Sequence, residues 1–215
     1  TLVDFTKLFS TDNDVAFRVI AVSRGNSSFI PQYDTKFRYG DVVYITIRAD
    51  ELKAMTDFMG VDDIEINKVM IMGGGMVGYL TALSLSKEIQ DVKLIELDLD
   101  KCETLSGKLP DEVAVVNGDG RNSDFLYEEG IHEYDAFVAV TGNDEVNILA
   151  CVAAKKFGVR RTVAEVENME YVRLAEEMGV DCVVNKKSVS ANRIFRLTLS
   201  ENARFVRYMN VIDAE

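Results

Sequence analysis

Apolar runs are short throughout this 215-residue chain, and none reaches the ~18 residues that a membrane-spanning helix needs. No signal-peptide pattern opens it either, so a cytoplasmic protein is expected. Cysteine is also scarce. Cys102, Cys151 and Cys182 are odd in number, widely spaced and without a CxxC pair, which argues against a disulfide framework or a thiolate metal knot and predicts reduced thiols. Positive charge is the third deficit: 24 bases against 36 acids leave a net charge of −12. Such a surface repels a phosphate backbone, so sequence-independent binding of nucleic acid is not expected. Histidine occurs once, at His132 after Gly130, where it precedes a predicted strand. That is the wrong end for a ligand crevice, and it leaves acid–base chemistry poorly provided for.

Against these absences stands a concentration of glycine. Lys68-Val-Met-Ile-Met72 is a short apolar run that empties into glycines spaced Gly73-x-Gly75-x-x-Gly78, and a helical pattern follows. The first glycine lets the chain turn out of a strand, the second lets backbone approach a pyrophosphate, and the third lets the helix lie close to the sheet. Val92-Lys-Leu-Ile-Glu96 then reads as a second strand ending in a carboxylate, at roughly the 20-residue offset of a ribose acceptor. Gly73, Gly75, Met76, Val77 and Gly78 with Glu96 are therefore the first candidate nucleotide contacts.

Two rhythms divide the chain. Residues 1–60 read as a small α+β module, with a helical pattern at Leu2–Phe9, strands at Phe17–Val22 and Val42–Ile47, and a hairpin turn at Gly25–Ser28 leading to Phe29-Ile30-Pro31. Asp50 is placed to cap a helix that runs through Leu52, Met55, Phe58 and Met59 and stops at Gly60. Residues 61–67 are acidic and read as a linker. From 68 to 215 strands alternate with helices, the signature of a doubly wound parallel sheet of the Rossmann type. Strands are predicted at 68–72, 92–96, 113–116, 135–140, 161–165 and 182–184, and helices at about 76–88, 100–107, 122–129, 144–157 and 169–178. A last helical pattern, Ser190–Ser200, follows the completed sheet and needs a surface for Ile194, Phe195, Leu197 and Leu199; a second copy of the chain supplies one.

Residues just beyond each strand are the ones to weigh. A carboxylate at Glu96 accepts hydrogen bonds from ribose hydroxyls and repels a 2′-phosphate, while Asp98 or Asp100 would cap the following helix, Asp100 being preferred for that role. In Asn117-Gly118-Asp119-Gly120, Asp119 is placed to accept from an adenine amine; the alternative is a tight turn with a structural bond. Thr141 opens a polar segment, Thr141–Asn147, that would face the glycine loop or simply cap a helix, with Asn143 and Glu145 as weaker candidates. Glu165 and Glu167 end the fifth strand on one side and offer a divalent-cation site, against the commoner reading of exposed acids, so no metal is assigned. Lys155, Lys156, Arg160 and Arg161 complement a helix dipole.

Taken together, Gly73–Gly78, Lys93–Glu96, Gly118-Asp119, Ala139–Asn147, Ala164–Asn168 and Gly179–Asp181 resemble, in order and spacing, the nucleotide-binding half of the TrkA and KtrA type of regulatory subunit in bacterial potassium uptake. The first 60 residues resemble that family's smaller C-terminal module. Because the small module comes first here, the resemblance implies a middle segment of a tandem protein, an expectation that a start at Thr1 and an end at Val211–Glu215 also suggest. It further implies a non-catalytic gating role, NAD or NADH as ligand with ATP or ADP as alternatives, a homodimer or ring, and a membrane potassium transporter or channel subunit as partner. Such a protein would lie at the inner face of the membrane. In KtrA-like relatives an arginine often follows the second motif glycine and helps hold phosphates across a dimer; here it is Met76, which favours NAD or NADH. The small module lacks the family's initial strand, so ligand binding there is not expected. A small NAD-dependent oxidoreductase is the alternative; a DNA-binding redox sensor is disfavoured by charge and by the lack of a helix-turn-helix before the glycine motif.

Overall fold

The computed structural model describes residues 17–25, 27–32, 34–58 and 65–198, and these fall in two compact units. The expected helix at 2–9, the Met59-Gly60 stop, positions 61–64 of the linker and the end of the last helix at 199–200 lie outside the described residues.

In the first unit, β-branched and aromatic residues build a three-stranded antiparallel sheet of order β2-β1-β3, with β1 at Phe17–Arg24, β2 at Ser27–Phe29 and β3 at Val42–Ile47. Gly25 turns the hairpin with φ +58°, and Val22, Ser23 and Arg24 pair with Phe29, Ser28 and Ser27. A bulge between Val19 and Ala21 shifts the pairing of β1 with β3. A 3₁₀ turn at Ala49–Glu51 then leads into helix α1, Leu52–Phe58. Asp50 does not cap that helix as expected. It lies inside the 3₁₀ turn and pairs instead with Arg48, whose guanidinium donates to it at 2.7 and 3.1 Å.

One ion pair latches this unit. Arg24 donates to both oxygens of Asp41 at 2.8 Å and to the Lys36 carbonyl at 2.9 Å, and lies over the Phe29 ring. The Asp41 side chain is buried, and the Arg24 guanidinium holds its carboxyl down at about 2. A carboxyl whose folded pKa is depressed stabilises the fold at pH above its unfolded value, ~4, and that contribution disappears as pH falls through the folded value. Asp41→Asn should therefore cost on the order of 1–2 kcal/mol in urea denaturation at pH 6, and the difference from wild type should close as the pH falls from about 4 to 2.

The second unit is the doubly wound sheet. Six parallel strands run in the order β6-β5-β4-β7-β8-β9, with β4 at Lys68–Met72, β5 at Asp91–Glu96, β6 at Val113–Asn117, β7 at Ala136–Ala139, β8 at Arg161–Glu165 and β9 at Cys182–Val184. Six helices complete it: α2 Met76–Leu85, α3 Leu99–Ser106, α4 Ser123–Glu128, α5 Asp144–Lys156, α6 Met169–Glu177 and α7 Lys186–Thr198. Alternation along β4 sends Val69 and Ile71 to one face, where they pack with Leu94, Leu105 and Ala82, and Met70 and Met72 to the other, with Phe137, Ile148 and Cys151. Both faces are thus covered, which is why these strands read as continuous apolar runs.

Helix starts gather at the carboxyl edge of this sheet. Asp98, Asn122, Asn143 and Asn168 cap α3, α4, α5 and α6 with side-chain oxygens. The capping carboxylate of α3 is Asp98, accepting from the Lys101 N–H at 3.2 Å; Asp100, expected in that role, lies within the first turn of the helix. Helix α2 differs. Its N-cap is Gly75, which has no side chain to offer, so the first amides of α2 keep no capping partner.

Candidate functional site

Where the strand order reverses, between β4 and β7, an α/β sheet leaves a crevice at its carboxyl edge. Here that crevice is a cleft of about 410 Å³, walled by the glycine loop, the end of β5, the loop after β6 and the loop after β7. Gly73, Gly75, Glu96, Asp119 and Thr141 all line it. Met76 starts α2 with its side chain largely exposed, Val77 follows it, and neither they nor Gly78 is among the walling residues.

Each motif glycine has a separate physical reason. Gly73 adopts φ +112°, and a Cβ there would meet the Val140 carbonyl at 2.9 Å. Gly78 packs against the loop itself: a Cβ would lie 1.8 Å from the Gly73 oxygen. At Gly75 a Cβ would meet nothing within 4 Å, because that position faces the open cleft. A fourth glycine, not singled out in the motif, is as constrained as Gly73 and Gly78. A Cβ on Gly74 would fall 2.5 Å from Leu105 Cδ1 and 2.8 Å from Glu96 Oε2.

Glu96 explains that crowding. Its side chain is buried at the end of β5, where Oε2 accepts from the Gly74 N–H at 2.7 Å and Oε1 from the Asp98 N–H at 2.9 Å. The carboxylate thus ties the glycine loop to the start of α3 while still lining the cleft. Each carboxylate oxygen has two acceptor sites, so one remains on each for ribose hydroxyls.

Asp119 is engaged differently from the expected free acceptor. Arg121 donates to it from the backbone N–H at 3.0 Å, from Nε at 2.8 Å and from Nη2 at 2.7 Å, and the guanidinium holds the carboxyl below its usual range. Arg121 and Lys101 both line the cleft, and neither drew notice in the sequence. Thr141 is tied inward: its hydroxyl donates to Asn147 Oδ1 at 2.6 Å. Asn147 is completely buried and in turn donates to the carbonyls of Thr141, at 3.1 Å, and Glu165, at 2.8 Å, so it clamps the loop after β7 to the end of β8. Asn143 spends its side chain on the Val146 N–H, as the N-cap of α5.

The remaining candidates are occupied elsewhere. Lys186 at the start of α7 places its ammonium between Glu165, 2.5 Å, and Glu167, 3.0 Å, where a divalent cation would have to sit. Among the described residues no cluster of three or more His, Cys, Asp or Glu side chains could hold a metal ion. His132 lies in a 3₁₀ turn before β7, stacked on Tyr127 with ring centroids 5.0 Å apart. Lys155 pairs with Asp181 and Arg160 with Asp135, so two of the four basic residues assigned to a helix dipole hold specific partners.

This geometry fits the adenosine half of a dinucleotide: uncapped amides at α2, open space at Gly75 and a ribose-height carboxylate. Comparison with known families agrees. The model of the TrkA-N domain matches residues 69–186, which is more than half of the chain. The chain belongs to the TrkA-N domain family. Among curated relatives it is 37% identical over 83% of its length to a Trk system potassium uptake protein TrkA homolog of Archaeoglobus fulgidus. It is 31% identical over 80% of its length to the Trk system potassium uptake protein TrkA of Halomonas elongata. The matches cover 40% and 37% of those proteins, so the chain spans about two fifths of their length. Among solved structures, the TrkA-N domain of the Escherichia coli inner membrane protein ybaL superposes with TM-score 0.56 at 19% identity, over 64% of this chain and all of that one, and shows the shared fold. The GsuK channel bound to NAD gives 0.54 at 26% identity, over 84% of this chain and 32% of that one. Among the described residues, no helix of this TrkA-N chain is long and apolar enough to cross a membrane.

Proposed function

We propose that this chain is the nucleotide-sensing part of a potassium-uptake regulator, binding NAD or NADH, or an adenine nucleotide, in the cleft between Gly75 and Glu96. Gly73, Gly75 and the first amides of α2 at Met76, Val77 and Gly78 receive the phosphates, Glu96 the ribose, and the loops carrying Asp119 and Thr141 the two ends of the ligand. The protein performs no reaction. Ligand binding biases the arrangement of a homodimer or ring, and a membrane potassium transporter or channel subunit reads that arrangement from the cytoplasmic side. Residues 1–60 form the small module, 61–67 the linker and 68–215 the sensing domain.

The observation that carries this reading is the Glu96 carboxylate, buried at the cleft wall and aimed at the glycine loop rather than at bulk water. Support comes from relatives named as Trk potassium uptake proteins and from GsuK structures bound to NAD and to ADP. A ligand switches such an assembly only by binding its two arrangements unequally, with coupling of typically ~1–3 kcal/mol. The oxidoreductase alternative needs an acid–base group beside the transferred hydride, and no histidine or tyrosine is among the residues walling the cleft, whose one lysine, Lys101, is paired with Asp98 at 4.0 Å.

Fluorescence titration with NADH, and calorimetry with NAD, ADP and ATP, test the proposal on the whole chain. Saturable binding of at least one at micromolar to submillimolar concentration is expected. Failure of all four at millimolar concentration rejects it.

A further inference from the structure

Asp119 and Arg121 form a preassembled unit on a closely packed loop. A Cβ on Gly118 would enter the Phe125 ring at 2.1 Å and one on Gly120 would meet Met72 Sδ at 2.5 Å, so the backbone on either side of Asp119 packs directly against those side chains. The Asp119 carbonyl accepts from the Asn122 N–H at 3.0 Å, and Asn122 caps α4. On that loop both oxygens of Asp119 are taken by its own near neighbour, through the Arg121 backbone N–H, Nε and Nη2. The pairing uses one edge of the guanidinium. Nη1 and the planar face are left over, on a side chain that is 60% exposed and lines the cleft.

We infer that Arg121, not the Asp119 carboxylate, meets the purine of the bound nucleotide, and that Asp119 is a positioning residue that sets the guanidinium plane. The inference rests on the nucleotide reading above and changes what the base end of the cleft recognises. A carboxylate would select the exocyclic amine of adenine. A guanidinium offers a stacking face and N–H donors, which suit the ring face and N7 that purines share. The cleft is then a purine site with little preference for the adenine amine.

ADP and IDP separate the two possibilities, because hypoxanthine keeps the ring and N7 but lacks the amine. Calorimetric affinities of both are measured on wild type, Arg121→Ala, Arg121→Lys, Asp119→Asn and the Arg121→Ala/Asp119→Asn double variant, with thermal melts to confirm folding. Arg121→Ala and Asp119→Asn should each weaken ADP and IDP alike, by roughly tenfold. The double variant should fall within about twofold of Arg121→Ala, since both changes remove one interaction. Arg121→Lys keeps the charge without the plane and should recover little. Wild-type affinity for ADP in Arg121→Ala overturns the inference, as does an Asp119→Asn variant that loses ADP but keeps IDP. Wild type that binds neither nucleotide, nor NADH, instead rejects the functional reading beneath it.

Discussion

Gly78→Ala should unfold or severely loosen the sheet unit, at a cost of about 3–5 kcal/mol in urea denaturation, beyond the ~1–3 kcal/mol of ordinary overpacking. The added carbon would sit 1.8 Å from the Gly73 carbonyl oxygen and 3.4 Å from Val140 Cγ2. Neither the loop nor α2 can yield cheaply. Gly73 is pinned by its N–H to the Ile95 carbonyl at 2.9 Å and by its close approach to Val140, and α2 carries Ala82 into the buried cluster with Ile71 and Leu94. Relief would require the whole helix to move away from the sheet, opening voids along that cluster. Gly75→Ala is the control within the same motif. Its φ of −68° is ordinary for any residue and a Cβ there meets no atom, so stability should stay within about 0.5 kcal/mol of wild type. Its methyl would instead project into the space assigned to phosphate, so NADH affinity should fall while the melting curve does not move. A Gly78→Ala protein as stable as wild type would show that α2 does not lean on the loop as described.

That contrast also marks how far the sequence carries. Strand and helix order was legible because alternation and helical spacing are local signals, and the GxGxxG spacing identifies Gly73, Gly75 and Gly78 because backbone needs are written one residue at a time. Contacts that depend on the pairing of distant segments were not legible. Gly74 occupies a position where the motif accepts any residue, and only the return of β5 with Glu96, and of α3 with Leu105, excludes a side chain there. Asn147 reads as one polar residue among several after β7, yet it is the buried clamp between that loop and the end of β8, because β8 brings the Glu165 carbonyl to it. Lys186 lies 21 positions beyond Glu165, and its ammonium reaches both carboxylates only because β9 pairs with β8 and hands the chain to α7 at that edge. Asp119 was legible as a loop acid but not as a partner of Arg121, since nothing in the string distinguishes an arginine that turns back from one that extends into water.

Glu96 braces the glycine loop and, in the function proposed above, also holds the ribose; its variants should separate the two roles. Removing the carboxylate in Glu96→Ala leaves the Gly74 and Asp98 N–H groups without acceptors. Hydrogen bonds to a charged group contribute about 1.5–3 kcal/mol each, so a loss of about 3–6 kcal/mol of stability is expected for the pair. Glu96→Gln keeps the shape, but its amide has one acceptor oxygen for two N–H donors, so one contact becomes donor against donor and part of that loss remains. The nucleotide role is read by a different measurement. A carboxylate at the ribose accepts from the 2′- and 3′-hydroxyls and repels a 2′-phosphate, so wild type should prefer NADH to NADPH. In Glu96→Gln the affinity for NADH should fall by at least about tenfold while that for NADPH falls less, narrowing the ratio. A strut with no ligand contact would lower stability and leave the NADH to NADPH ratio where it was. That result would remove the ribose from Glu96 and, with it, the strongest support for a dinucleotide in this cleft.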